Sequence, residues 1–182
     1  MNDKELIEKS KFLSLVLRHK PEKIGLELDD NGWANTQELC RLSHITRSEL
    51  DEIVEKNNKK RFEYDGHKDK IRACQGHSID VDLKLEPKEP PVYLYHGTSD
   101  RFIWSIKKDG LKSRNRNHVH LSIDEETALK VGQRHGGKTI VLSIQAHCYW
   151  HETKAEFYQS NNGVWLTREI PVKYIVFPKI GE

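Results

Sequence analysis

The chain has 182 residues, 36% hydrophobic and 32% charged, with four Trp and a formal net charge of +2, which is room for one large domain or two small ones and excludes general disorder. So small a net charge excludes recognition of nucleic acid by bulk positive charge, and any basic surface has to come from local clustering. No apolar run approaches the roughly 18 residues that span a bilayer, the start MNDKELIEKSK has no signal-peptide apolar segment, and Cys40, Cys74 and Cys148 lack disulfide or zinc spacing, so the reading is a cytoplasmic chain with free thiols and no membrane partner.

From Lys4 to Arg18, Leu6, Leu13, Val16 and Leu17 fall at helical spacing, and Pro21 stops the helix soon after. Asn35-Thr-Gln-Glu38 caps a short second helix carrying Leu39 and Leu42. Thr46-Arg-Ser-Glu49 is a fuller capping box for a third, with Leu50, Ile53 and Val54, ending near Asn57-Asn58. Arg61–Tyr64 and Lys70–Arg72 flank Asp65-Gly66, the signal of a hairpin. Three helices and a hairpin describe a winged-helix-like lobe over residues 1–80. Pro87, Pro90 and Pro91 make 81–91 an extended, proline-rich linker. Beyond it, 92–182 mixes helix and strand: strands over Val92–Tyr95, Val119–Leu121, Thr139–Ile144, Val164–Thr167 and Val172–Phe177. Helices follow from Asp100 to Lys108, ended by Gly110, and after Asp124 through Val131. The class is α+β.

Several clusters carry chemistry. Leu17-Arg18-His19-Lys20-Pro21 collects cations at a helix C-terminus, where the dipole favours them without any further role. Ile71-Arg72-Ala-Cys-Gln-Gly-His-Ser78 follows the hairpin. In Tyr95-His96-Gly97-Thr98-Ser99 a strand runs out into small polar residues before a helix, a place where backbone can approach a pyrophosphate or ribose. His118 and His120 share a strand face in the manner of a metal pair, but no third ligand stands at suitable spacing, so no metal is expected. Val131-Gly-Gln-Arg134-His-Gly-Gly137 sets charge between glycines, which suits an anion.

Together the motifs LRHKP, IRACQGHS, LYHGTS, HVHLS, VGQRHG and GVWLT, in this order from about Phe12 to Pro178, closely resemble the RNA 2′-phosphotransferase family of the KptA type. The resemblance implies a winged-helix-like first lobe, an ADP-ribosyltransferase-like mixed β second lobe, and an active site in the cleft between them. It implies NAD as co-substrate, 2′-phosphorylated RNA as partner, and no obligate protein partner. By the same resemblance Arg18, His19, Arg72 and Arg134 are catalytic. His96, Gly97, Thr98, His120, Ser122 and Val164 line the NAD site, with Val164 where protein-modifying relatives carry a glutamate.

That absence has a chemical reason. A 2′-phosphate monoester, with its second pKa near ~6, is already a nucleophile at neutral pH, and planar guanidinium groups hold such a dianion better than ammonium groups. Arg114 and Arg116 are expected to bind RNA backbone, with Lys9, Lys11, Lys20 and Lys112 as further cations. One alternative is an ADP-ribosyltransferase that caps nucleic-acid phosphates and stops there. Another is a winged-helix DNA-binding regulator, but Ser48–Glu55, which carries Glu49, Asp51, Glu52 and Glu55 and no Lys or Arg, is a poor recognition helix.

Overall fold

The computed structural model describes residues 1–57 and 59–178. The chain divides into two compact units, Met1–Lys84 and Leu85–Glu182, each combining helices with antiparallel strands.

In the first unit, α1 (Asp3–Arg18) opens with a capping box in which Asn2 accepts from the Glu5 N–H and the Glu5 carboxylate accepts from the Asn2 N–H. Its stripe of Leu13, Val16 and Leu17 is fully buried; each such side chain contributes about 1.5–3 kcal/mol. His19 caps the helix, and Pro21 begins a 3-10 turn, Pro21–Ile24. Asn35, in β1 (Ala34–Asn35), also caps α2 (Thr36–Ser43). Thr46 caps α3 (Arg47–Lys56) with the expected box, and Asn57 ends that helix; Asn58, at its expected end, lies outside the described residues. Strands β2 (Phe62–Tyr64) and β3 (Lys70–Ala73) form the hairpin, with Tyr64 opposite Ile71. The short β1, not anticipated, pairs on the other side of β3, giving the order β1-β3-β2. The three helices close over this sheet around Leu39, Leu50, Ile53 and Ile71.

The proline-rich stretch is held at both ends. Leu83 is buried and Asp82 N–H donates to Asp30 O in the first unit, while Lys88 N–H donates to Phe157 O in the second.

The second unit begins with β4 (Leu94–Ser99), a 3-10 turn (Asp100–Phe102) and α4 (Ile103–Asp109), which Gly110 ends at φ 75°. There follow β5 (Leu111–Lys112), β6 (Val119–Leu121), α5 (Glu125–Gly132), a 3-10 turn (Gln133–His135), β7 (Thr139–Ile144), α6 (Ala146–Thr153), β8 (Phe157–Gln159), β9 (Trp165–Thr167), β10 (Glu169–Ile170), a 3-10 turn (Val172–Tyr174) and β11 (Ile175–Val176). Three-stranded sheets β11-β7-β4 and β6-β9-β8 are joined by a bridge between Tyr95 and Ser122. Their shared core holds Leu94, Leu121, Leu142, Ile144 and Phe157.

Two expectations change here. The strand expected over Val92–Tyr95 begins at Leu94 and does not end at His96: β4 continues, paired with β7, as far as Ser99 opposite Thr139. Val172–Phe177 is not one strand, because after Pro171 the chain makes a 3-10 turn and only Ile175–Val176 pairs. Among the described residues no helix is long and apolar enough to cross a membrane.

Candidate active site

In the first unit the segment after β3 runs back past the end of α1. Ser78 N–H donates to Arg18 O, and the Ser78 hydroxyl lies 2.9 Å from His19 Nδ1. Gly76 has φ +90°, and a Cβ there would stand 3.5 Å from Arg18 Nη1, so this glycine supplies a backbone conformation that L side chains rarely adopt, with its bare face toward the guanidinium. Arg18 Nη2 also reaches Arg61 O at 3.5 Å.

Arg72 is held far more tightly. Its Nε donates to Glu63 Oε1 at 2.6 Å, and Nη1 donates to Asn31 O and Leu83 O at 3.3 and 3.2 Å. The guanidinium lies over Trp33, 4.3 Å from the ring centroid, and the residue is 9% exposed. With the Nε and both Nη1 hydrogens committed, Nη2 is the edge that has hydrogens left to give. Burial pushes the Cys74 thiol up to about 12; Glu63 adds to this while Arg18 and Arg72 oppose it. Both guanidiniums are therefore within electrostatic reach of one buried sulfur.

In the second unit, His96 on β4 and His120 on β6 meet directly: His96 Nδ1 lies 3.0 Å from the His120 carbonyl oxygen. A carbonyl only accepts, so Nδ1 carries the proton and Nε2 is left as an acceptor. Burial lowers the His96 pKa, the His120 carbonyl opposes this, and His135 lowers it further, so the ring is neutral at pH 7. Ser122 is locked to Tyr95 by reciprocal backbone hydrogen bonds, and Val164 lies one residue before β9, whose Trp165 pairs with Leu121. Thr98 is buried. So is Gly97, where a Cβ would fall 1.7 Å from the Ala128 carbonyl oxygen of α5; a Cβ at Gly132 would meet the Gly97 backbone at 3.0 Å. These two glycines let α5 cross β4 backbone to backbone, so Gly97 shapes the strand that carries His96. Arg134, in the 3-10 turn after α5, is exposed. Among the described residues no group of three or more His, Cys, Asp or Glu side chains could hold a metal ion.

The cations proposed for RNA divide by their partners. Lys9 pairs with Glu49 and Lys112 with Glu169. Arg114 reaches Ser105 Oγ at 3.4 Å from a backbone of φ 52°. Arg116 is exposed, yet partial loss of its hydration, and then the charge of Arg134, lower its pKa. Arg116 and Arg134 therefore share one electrostatic neighbourhood.

The sequence matches the family described as RNA 2′-phosphotransferase, Tpt1 / KptA family, over residues 4–169. The chain belongs to the RNA 2′-phosphotransferase family. It is 52% identical over 182 residues, 97% of this chain and 99% of the relative, to a probable RNA 2′-phosphotransferase of Flavobacterium johnsoniae. A protein of the same description from Fusobacterium nucleatum is 49% identical over 176 residues, 94% of this chain and 98% of its own length. One from Escherichia coli K12 is 46% identical over 180 residues, 96% and 97% of the two chains.

Membership in this family of transferases directs attention to groups that reasoning from motifs passed over. Glu63 and Trp33 hold Arg72, and neither stood out in the sequence; Ser78, which meets His19, lay inside the IRACQGHS motif without a role of its own. Glu63 was detectable in principle, since it lies directly opposite Arg72 in the hairpin register, where opposite charges attract. Trp33 had no signal of its own.

Proposed function

We propose that the chain is an NAD-dependent RNA 2′-phosphotransferase, cytoplasmic, acting on an internal 2′-phosphate of the kind left at a tRNA splice junction. In this reading the first unit is the winged-helix-like, phosphate-binding lobe and the second the ADP-ribosyltransferase-like, NAD-binding lobe. Arg18, His19, Arg72 and Arg134 act on the phosphate.

The RNA 2′-phosphate attacks the anomeric carbon of the nicotinamide ribose. A C–O bond forms, the C–N bond breaks, and nicotinamide leaves with the electron pair. The 2′-phosphate is then a diester joining RNA to ADP-ribose. His19 next assists transfer of phosphorus to the neighbouring ribose hydroxyl: that O–P bond forms, the RNA O2′–P bond breaks, and the proton passes to O2′. The products are RNA with a free 2′-OH, nicotinamide and ADP-ribose 1″,2″-cyclic phosphate. Such transfer rewards positioning and charge neutralisation over covalent catalysis by the protein.

The observation that carries the reading is that Arg18 and His19, adjacent at the end of α1, are each set by contacts with one short segment, Gly76–Ser78, four residues beyond Arg72. Cations fixed before substrate arrives need no reorganisation to stabilise a phosphoryl transition state. The residues of the second unit also suit NAD. A neutral His96 with an Nε2 acceptor matches a ribose hydroxyl; the half-buried His120 on β6, Ser122 just after it and Val164 just before β9 complete the set. Gly97 and Thr98, buried in β4 beside His96, belong to the same NAD site in this reading. Arg114 and Arg116 are assigned to the RNA backbone beside Arg134.

The test is a 2′-phosphorylated oligonucleotide incubated with and without NAD. Loss of the phosphate mass only when NAD is present supports the reading, and equal loss without NAD contradicts it.

A further inference from the structure

A groove of about 580 Å³ runs along α1 in the first unit, bounded by α3 and by the chain that follows it. One stripe of α1, Ile7, Lys11, Ser14 and Arg18, lines it at the i, i+4, i+7 spacing of a single helix face, away from the core stripe. From the far side come Lys56, Asn57 and Arg61. Its floor is built: Asn57 Nδ2 donates to Ser10 Oγ at 3.0 Å in a buried contact, and Arg61 Nη1 donates to Asn57 Oδ1 at 3.3 Å.

Among the described residues no carboxylate lines this groove, although Asp and Glu together number 28 in the chain; its charged lining is Lys11, Arg18, Lys56 and Arg61, with His19 at the end. Lys56 is steered by Glu52 at 2.7 Å, which lies outside the lining. The apolar edge is Ile7, 53% exposed, with Leu6 and Leu15. A cationic lining, a hydrogen-bonded floor and an exposed aliphatic edge suit a ribose-phosphate strand, with its diesters on the cations and its bases or sugars against the aliphatic side chains.

We propose that this groove is the track for the RNA strand flanking the 2′-phosphorylated nucleotide, entering at Arg18 and His19 and leaving past Lys11. The inference rests on the functional reading above and extends it from the reacting phosphate to its neighbours. Lys11 and Arg18 are seven residues apart on α1, about 10 Å along the axis, the reach of about three stacked nucleotides at roughly 3.4 Å each. Nucleotides on one side of the reacting residue would thus be bound by phosphate, without base readout.

The experiment is fluorescence anisotropy of a 2′-phosphorylated ten-nucleotide RNA against salt, with wild type, Lys11→Ala/Arg61→Ala and Lys11→Arg/Arg61→Lys, each verified as folded by its melting curve. The double alanine variant is expected to lose about 0.7 from the log–log salt slope for each phosphate contact removed, and the charge-preserving variant to keep the wild-type slope. An alanine variant with the wild-type slope overturns the track. NAD-dependent turnover of a 2′-phosphorylated dinucleotide, too short to fill the groove, is run on wild type alongside. If wild type does not consume the dinucleotide, the functional reading itself falls and the track with it; if it consumes the dinucleotide while the slopes are equal, only the track falls.

Discussion

Arg72 and Glu63 face each other across the β2–β3 hairpin, with Nε 2.6 Å from Oε1 and only 11% and 17% of the two side chains exposed. The pair turns the Arg72 fork so that Nε and Nη1 serve the fold and Nη2 has hydrogens left to donate. Removing one partner of a fully buried pair costs roughly 3–5 kcal/mol; with this residual exposure Glu63→Ala is expected to cost about 2–3 kcal/mol in a urea unfolding series. Glu63→Gln, which keeps an acceptor, should lose less stability but still slow the reaction, since the guanidinium is no longer held by charge. A Glu63→Ala protein as stable and as active as wild type would mean that the pair positions nothing.

Gly97 has no room to grow. The Ala128 carbonyl oxygen lies where its Cβ would be, so Gly97→Ala forces α5 off β4, an overpacking cost of about 3 kcal/mol or more. At roughly 2–4 °C per kcal/mol for a chain of this size, the melting temperature should fall by about 10 °C. Gly136 shows nothing within 4 Å of an added Cβ, but its φ of +68° still strains alanine, so Gly136→Ala should cost a smaller amount, about 1 kcal/mol.

The arginines and the histidine should fail differently. On the proposed mechanism Arg18 and Arg134 stabilise transition-state charge, so alanine at either should lower kcat about 10²–10³-fold, seen as slower nicotinamide release. His19→Ala should leave that release comparatively fast while ADP-ribosylated RNA accumulates, since the proposed mechanism gives His19 its part in the second transfer. Gel resolution of substrate, intermediate and product over one turnover separates the cases. An His19→Ala enzyme with wild-type turnover and no accumulation would remove His19 from that step.

His96 makes the second unit sensitive to acid. Its native pKa lies below the ordinary 6.5, chiefly through burial, and His118 is shifted the same way by burial. The unfolded state therefore binds more protons below about pH 6.5, so these histidines favour the native state fully above that pH and progressively less as pH falls through the lower native values. His96→Asn keeps a donor for the His120 carbonyl without a titrating ring. Unfolding free energies at pH 7 and pH 5 should differ less in this variant than in wild type; equal differences would place the acid sensitivity elsewhere.

What could be read from the sequence follows the strength of local signals. Thr46, Asn35 and Asp124 each accept from a first-turn N–H where the capping patterns place them, and the hairpin and the strands over Val119–Leu121 and Thr139–Ile144 formed as alternation indicated. The extension of β4 through His96–Ser99 was hidden because Gly and Ser are poor strand formers; Gly97 is there for a helix that crosses it from elsewhere in the sequence. Helix α6 was missed for the opposite reason, since Gln145 makes no side-chain cap. The candidate site divides in the same way. The order of six motifs pointed to Arg18, His19, Arg72 and Arg134 as candidates, whereas the contacts of Glu63 and Trp33 with Arg72 and of Ser78 with His19 become visible only once β2 is paired with β3 and the chain turns back on α1.

The decisive measurement follows the phosphate itself, using an RNA labelled at its 2′-phosphate and supplied with NAD. The account requires equal amounts of nicotinamide, RNA bearing a free 2′-OH, and labelled ADP-ribose cyclic phosphate. Label released as inorganic phosphate, or label retained on RNA as a stable ADP-ribose adduct when nicotinamide release is complete, would contradict it.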